Sequence, residues 1–147
     1  MDIIIVGCGK VGSALAEVLS EEHNVTVIDK NEEVIDSRVN DLDVMGIAGN
    51  CLQTDVLEEA NVDKANIFIA VTNSDEVNIL SCLIANKMKA RHCVARVRNP
   101  EFDKQLVFMR EELGISMMVN PDYNAANEIA KVLRYPEAIN IESFSKG

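Results

Sequence analysis

Apolar residues along the chain fall into short β-branched runs that alternate with stretches of helical period. Ile3-Ile4-Ile5-Val6 is the first run, opened by Asp2 and ended by Gly7. Apolar residues at 11, 14, 15, 18 and 19 then share one face of a helix over Val11–Leu19. His23-Asn24 makes a turn into a second run, Val25–Ile28, closed by Asp29. Asn31 offers a side-chain acceptor to the start of a helix reaching about Val39. Val44–Ala48 is the third run. It is followed by a Gly49-Asn50-Cys51 turn and a short helix, Thr54–Ala60, with Thr54 as its cap. Ile67–Val71 contains no polar residue, the pattern of a parallel strand buried on both faces. Ser74 caps a long helix ending near Met88, and Cys93–Arg98 is the fifth run. Asn99-Pro100 opens a further helix, with Pro at its first position, that closes near Leu113-Gly114. Met117–Val119 is a sixth strand. Asn120-Pro121 starts a last helix to about Arg134, where Tyr135-Pro136 stops it.

Strand and helix alternate through six units, so each strand is followed by a crossover and all six run parallel. The expected fold class is α/β: a three-layer Rossmann fold with a doubly wound parallel six-stranded sheet, order 3-2-1-4-5-6. Residues 1–136 form one nucleotide-binding domain. Residues 137–147 belong to no complete unit and read as a tail, or as a linker toward a C-terminal domain.

The chain has 147 residues, one domain on a prior of about 100–200 residues per domain. At 48% hydrophobic and 26% charged it has the composition of a soluble globular protein. No apolar run approaches the roughly 20 residues of a membrane-spanning helix. The start lacks a basic segment and a cleavage site, so no signal peptide is expected. A net charge of −10 opposes general nucleic-acid binding and unaided docking to an anionic membrane. Cys8, Cys51, Cys82 and Cys93 show no CxxC spacing and read as small apolar residues of a cytoplasmic protein rather than a disulfide or zinc framework.

The chemistry concentrates at the ends of the strands. Gly7-Cys8-Gly9-Lys10-Val11-Gly12 is a GxGxxG loop that follows a strand at once and opens a helix, and Asp29 follows about twenty residues on. Gly7 allows the tight turn, Gly9 lets backbone approach a diphosphate, and Gly12 lets helix and sheet pack closely. The free N–H groups and dipole of the helix start favour an anion. Lys10, at that start, is either a solvated lysine or a phosphate partner. Asp29 accepts ribose hydroxyls, or else caps the next helix. Its charge repels a 2′-phosphate and favours NAD over NADP, but cannot choose among NAD, ATP, ADP and AMP. Asn50 would reach adenine or ribose, and Thr72 and Asn73 would line the cleft, unless each is a plain turn residue. Arg96 and Arg98 share a face of the fifth strand. Arginine there needs an anionic partner, either the diphosphate or a carboxylate of the chain, and Arg96 lies deeper.

No catalytic constellation is present. His23 lies in the turn before the second strand, and His92 precedes the fifth strand at the opposite edge of the sheet. Asp75-Glu76 reads as a pair serving the helix dipole.

The segments IIIVGCGKVGSALAEVLS, VIDKN, IFIAVTNSDEVNIL, CVARVRNP and VNPDYNAANEIAKVLRYPEA resemble TrkA, the family of regulatory subunits of Trk/Ktr potassium uptake systems. The similarity is to its N-terminal RCK-type (regulator of K⁺ conductance) domain and covers about residues 1–136. It implies NAD(H) binding, or ATP, ADP or AMP in some members. It implies a homodimer within a larger ring that gates a membrane-embedded K⁺ transporter subunit. The protein would then be cytoplasmic and peripheral to the inner face of the cell membrane. Together with the charge, the short apolar runs and the missing catalytic constellation, the expectation is no enzymatic activity, no nucleic-acid partner and no direct membrane insertion. By position the resemblance assigns nucleotide contacts to Gly7, Cys8, Gly9, Lys10, Val11, Gly12, Asp29, Lys30, Asn50, Cys51, Thr72, Asn73 and Arg96. The chain departs from many relatives at Asn50, where they carry Asp in GDAT or GDCT. The rival classes are an NAD(H)-dependent oxidoreductase, which needs a substrate domain and a proton-transfer group, and a stand-alone redox sensor.

Overall fold

The first apolar run pairs on both sides. β1 (Asp2–Val6) lies between β2 (Asn24–Asp29) and β4 (Ile67–Ala70), with Ile5 opposite Val27 and Ile69. The computed structural model describes residues 1–39, 42–102, 108 and 110–134. β3 (Met45–Ala48) pairs with β2, and β5 (His92–Arg96) pairs with β4 and with β6 (Met117–Val119). All pairings are parallel and the order is β3-β2-β1-β4-β5-β6, as the alternation of elements predicts.

Period-two alternation divides the strands between two cores. Ile3, Ile5, Val25 and Val27 pack with Ala16 of α1 (Lys10–Ser20) and Ile35 of α2 (Glu32–Val39) on one face. Ile4, Val6, Phe68, Cys93 and Ala95 pack with Leu57 of α3 (Thr54–Glu59) and Cys82 and Ala85 of α4 (Asp75–Lys87) on the other. The result is the expected three layers. Burying Ile3, Ile5, Phe68 and Leu57 contributes about 1.5–3 kcal/mol each.

Local chemistry explains most boundaries. Asn31 Oδ1 accepts the Glu33 amide and Ser74 Oγ accepts the Val77 amide, so both side chains cap as predicted. α5 (Pro121–Arg134) starts behind Asn120, whose Oδ1 accepts the Tyr123 amide at 3.0 Å. Thr54 is not a cap. Gln53 holds that position without a side-chain bond, and Thr54 Oγ1 turns to Asp55. Residues 100–102 are helical as predicted behind Asn99. The rest of that helix falls largely, and residues 135–147 entirely, outside the described residues.

Two expectations here need correction. β4 is not buried evenly: Phe68 and Ala70 are buried, whereas Ile67 and Ile69 are half-buried. Their face carries α1 and α2, which pack on β1, β2 and β3, while α4 packs on the opposite face of β4 and β5. β5 ends at Arg96, so Arg98 lies beyond the strand. His92 opens β5 at the amino end of the sheet, opposite the carboxyl ends of the strands, as expected.

The four cysteines are free and buried. The Cys82 thiol is pushed up by its hydrogen bond to Cys93 and by burial, and it also donates to Val94 O. No described helix is long and apolar enough to cross a membrane.

Candidate functional site

Parallel pairing brings the carboxyl ends of β1, β2, β3, β4 and β5 side by side. Beyond the strands the ladder continues: the Gly7 amide donates to Ile28 O, Gly49 to Asp29 O, and Val71 to Val6 O. The GxGxxG loop is thereby placed between Asp29-Lys30 and Thr72-Asn73, with Asn50-Cys51 beside Asp29.

Each loop glycine does separate work. Gly7 has φ +95°, and a Cβ there would lie 3.0 Å from Thr72 N and Cα, so loop and β4 end are in contact. A Cβ on Gly12 would collide with Gly7 O, which is the close helix packing expected of it. A Cβ on Gly9 would meet nothing within 4 Å, and its backbone is extended. A Cβ at Gly9 therefore fits the fold without a clash. The open space over it is the feature a diphosphate would use.

The start of α1 faces the same space. Gly9 is its N-cap and offers no side chain, and its first turn holds no acidic residue. The orphan N–H groups there are available to an anion. Lys10 and Val11 are exposed at this point.

Asp29 does not cap α2. Its Oδ2 accepts the Cys8 amide at 2.7 Å and its Oδ1 accepts the Asn31 amide at 3.0 Å. Each oxygen keeps a lone pair for a ribose hydroxyl. Lys30 beside it is exposed.

Cys8 and Cys51 bury their side chains in the two cores, so only their backbone borders the cleft. Burial pushes the Cys51 thiol up, and Asp29 adds to the effect. Asn50 is exposed, and its Oδ1 accepts the Leu52 amide, which shapes the turn. The plain-turn reading of Asn50 therefore has a bond to support it, while Nδ2 stays available.

The two arginines differ. Arg98 pairs with Asp75, Nε to Oδ1 at 3.7 Å, and its guanidinium donates to Asn73 O. The carboxylate partner thus belongs to Arg98. Arg96 Nε is buried without a hydrogen-bond partner among the described residues. A buried guanidinium nitrogen left unpaired is costly, and an anionic ligand would satisfy it.

Two residues that the sequence does not assign to the site shape it: Asp75, read there as a helix-dipole acid, and Asn78. Asp75 is buried, and its Oδ2 accepts the Arg98 and Asn99 amides. Asn78 is fully buried on the core face of α4 with Ser81, Cys82 and Ala85. An amide at a core position of a helix was the available signal. A cavity of ≈ 730 Å³ opens at the amino ends of the strands, lined by residues such as Asp2, His23 and Lys64, away from all the predicted contacts. The described residues hold no cluster of three metal-ligating side chains.

Residues 3–121 match the family model described as the TrkA-N domain. The chain is 40% identical over 147 residues to a Trk system potassium uptake protein TrkA homolog of Archaeoglobus fulgidus, covering 100% of this chain and 34% of that protein. It is 33% identical over 148 residues to the TrkA homolog of Methanothermobacter thermautotrophicus, covering 100% of this chain and 67% of that protein. It thus spans about a third of the length of the first relative and two thirds of the second. Among solved structures, the TrkA-N domain of the inner membrane protein ybaL from Escherichia coli shares the fold, with TM-score 0.78 and 20% identity over 90% of this chain and 96% of that chain. The GsuK channel bound to NAD has TM-score 0.73 and 27% identity, covering 93% of this chain and 24% of that one.

Proposed function

From the chain's membership of the TrkA-N domain family, we propose that it is the nucleotide-binding regulatory part of a Trk-type potassium uptake system, with NAD(H) or an adenine nucleotide (ATP, ADP or AMP) as its ligand. Relatives carry the Trk potassium uptake name, and the similar GsuK is described bound to NAD and to ADP. The observation that carries the reading is the open space over Gly9 at the uncapped start of α1, flanked by Asp29.

Each residue then has a role. Backbone of Gly7, Cys8, Gly9, Lys10, Val11 and Gly12 wraps the diphosphate, with the N–H groups of the first turn of α1 as donors. Asp29 accepts the ribose hydroxyls beside Lys30. Asn50 and the Cys51 backbone border the adenine side, Thr72 and Asn73 form the opposite wall, and Arg96 neutralises phosphate charge.

Regulation follows if ligand binding favours one arrangement of an assembly over another, since equal affinity for both shifts nothing. α5 supplies a surface for a homodimer, within a larger ring. Ala125, Ala126, Ile129 and Ala130 share a face of α5, and all are exposed, Ile129 at 61%. The assembly sits in the cytoplasm against a membrane-embedded K⁺ transporter subunit.

The test is calorimetric titration with NADH, NAD, NADP, ATP, ADP and AMP, with Asp29→Ala beside the native protein. Binding of NADH, ADP or ATP that is lost in the variant is expected. Absence of binding by all six, or NADH turnover with small carbonyls, would overturn the regulator reading.

A further inference from the structure

Asn78 uses every hydrogen-bonding position it has. Its Oδ1 accepts the Thr72 amide at 2.8 Å and the Thr72 hydroxyl at 2.7 Å. Its Nδ2 donates to Thr72 O at 3.2 Å and to Arg96 O at 2.9 Å. The side chain is 0% exposed, at a position where α4 otherwise presents small or apolar residues. Burying an amide there costs stability unless all its bonds are made. Those bonds join the ends of β4 and β5, and Thr72 is the residue in contact with Gly7.

A second set of bonds continues from there. The Arg98 guanidinium holds Asn73 O, and its amide is held by Asp75. Arg98 O in turn accepts from Asn120 Nδ2 at 3.1 Å, and Asn120 Oδ1 caps α5 at the Tyr123 amide. Gly7 packs against Thr72, the backbone links Thr72 to Asn73, and polar contacts run on from Asn73 O through Arg98 and Asn120 to the first turn of the helix that exposes Ile129.

We propose that Asn78 is a positioning residue for the nucleotide site, and that Arg98 and Asn120 couple that site to the start of α5. The proposal rests on the nucleotide-binding reading above. A ligand seated on the Gly7 loop presses on Thr72, and Thr72 cannot yield without breaking its bonds to Asn78 or pulling on Arg96. Arg98 and Asn120 carry that restraint to Tyr123. Occupancy of the site thus stiffens the start of α5, and whatever surface α5 docks against senses it.

Hydrogen exchange at the Tyr123 amide, with and without saturating NADH or ADP, tests the coupling in native protein, Arg98→Gln, Arg98→Lys and Asn120→Ala. In native protein, ligand slows exchange about tenfold. Arg98→Gln and Asn120→Ala lose that slowing while ligand affinity stays within about threefold. Arg98→Lys, which keeps a donor for Asn73 O, retains part of it. Asn78→Ser, read by titration, weakens binding about tenfold. If that variant does not fold, the exposed-site variants decide alone. Full ligand-induced slowing in Arg98→Gln, or none in native protein that binds ligand, overturns the coupling and leaves the site intact. Native protein that binds neither nucleotide overturns the site and the coupling together.

Discussion

Asp29 holds the phosphate loop by its backbone: Oδ2 accepts the Cys8 amide at 2.7 Å, across the β1–β2 pairing. In the proposed site one carboxylate would have two tasks, fixing the loop and offering charge to a ribose. The two separate by substitution. Asp29→Asn keeps one carbonyl acceptor, for the Cys8 amide, but loses the acceptor for the Asn31 amide and the charge, so NADP gains on NAD while the loop stays held. Asp29→Ala loses both. Its NADH affinity falls roughly 10–100-fold, the worth of about 1.5–3 kcal/mol for bonds to a charged group. Calorimetry with NADH and NADPH on both variants distinguishes the tasks.

The glycines at 9 and 12 predict opposite outcomes. Gly9→Ala meets no atom and needs no unusual φ, so stability changes by no more than about 0.5 kcal/mol. The new methyl stands where the diphosphate would lie, so nucleotide binding drops sharply. Gly12→Ala drives a Cβ against Gly7 O and separates α1 from the sheet, costing about 1–3 kcal/mol or more. Thermal melting and titration of both variants check this. Equal loss of stability in the two would show that the space over Gly9 is not free.

Arg96 predicts an exchange between stability and affinity. Its buried Nε has no partner among the described residues, so the free protein bears that cost. Arg96→Gln, which shortens the side chain and removes the charge, leaves stability equal or slightly raised and weakens nucleotide binding roughly tenfold. The weakening is greatest for ligands with more phosphate charge. A variant that melts lower and binds as before would place Arg96 in structure rather than in the site.

The sheet was legible because its information is local. Alternating β-branched runs, Asn31, Ser74 and Asn120 at helix starts, and the Gly7 loop each act within a few residues, so strand order follows from crossover geometry. The site contacts that escaped detection are non-local. Period two put Arg98 on the same strand face as the deeper Arg96, yet β5 ends at Arg96, and only Arg98 reaches Asp75 on α4. Asp75 was legible as a helix-start acid. Its bonds to the Arg98 and Asn99 amides depend on how α4 lies against β5. Asn78 carried a signal, a polar residue among core positions of α4, but its partners come from the ends of two strands. The half-exposure of Ile67 and Ile69 was illegible for the same reason, since an apolar strand does not state which face a helix covers.

Ser74 links a cap to a titration. Its hydroxyl accepts the Val77 amide and donates to Glu76 Oε2 at 2.6 Å. The Glu76 carboxyl is lowered by that Ser74 bond first and by its own backbone amide second, while neighbouring Asp75 opposes the shift. A carboxylate with a lowered folded-state pKa contributes stability above its unfolded value, about 4.3, and loses it as pH falls through the lower folded value. Ser74→Ala removes the cap, costing about 1 kcal/mol at neutral pH. It also returns Glu76 toward its ordinary value, so the part of the acid-side loss due to Glu76 disappears. Melting across pH 3 to 7 would show a flatter acid limb in the variant, and an NMR titration would show the Glu76 carboxyl moving upward. An unchanged Glu76 titration in Ser74→Ala would mean that the hydroxyl does not hold the carboxylate in solution.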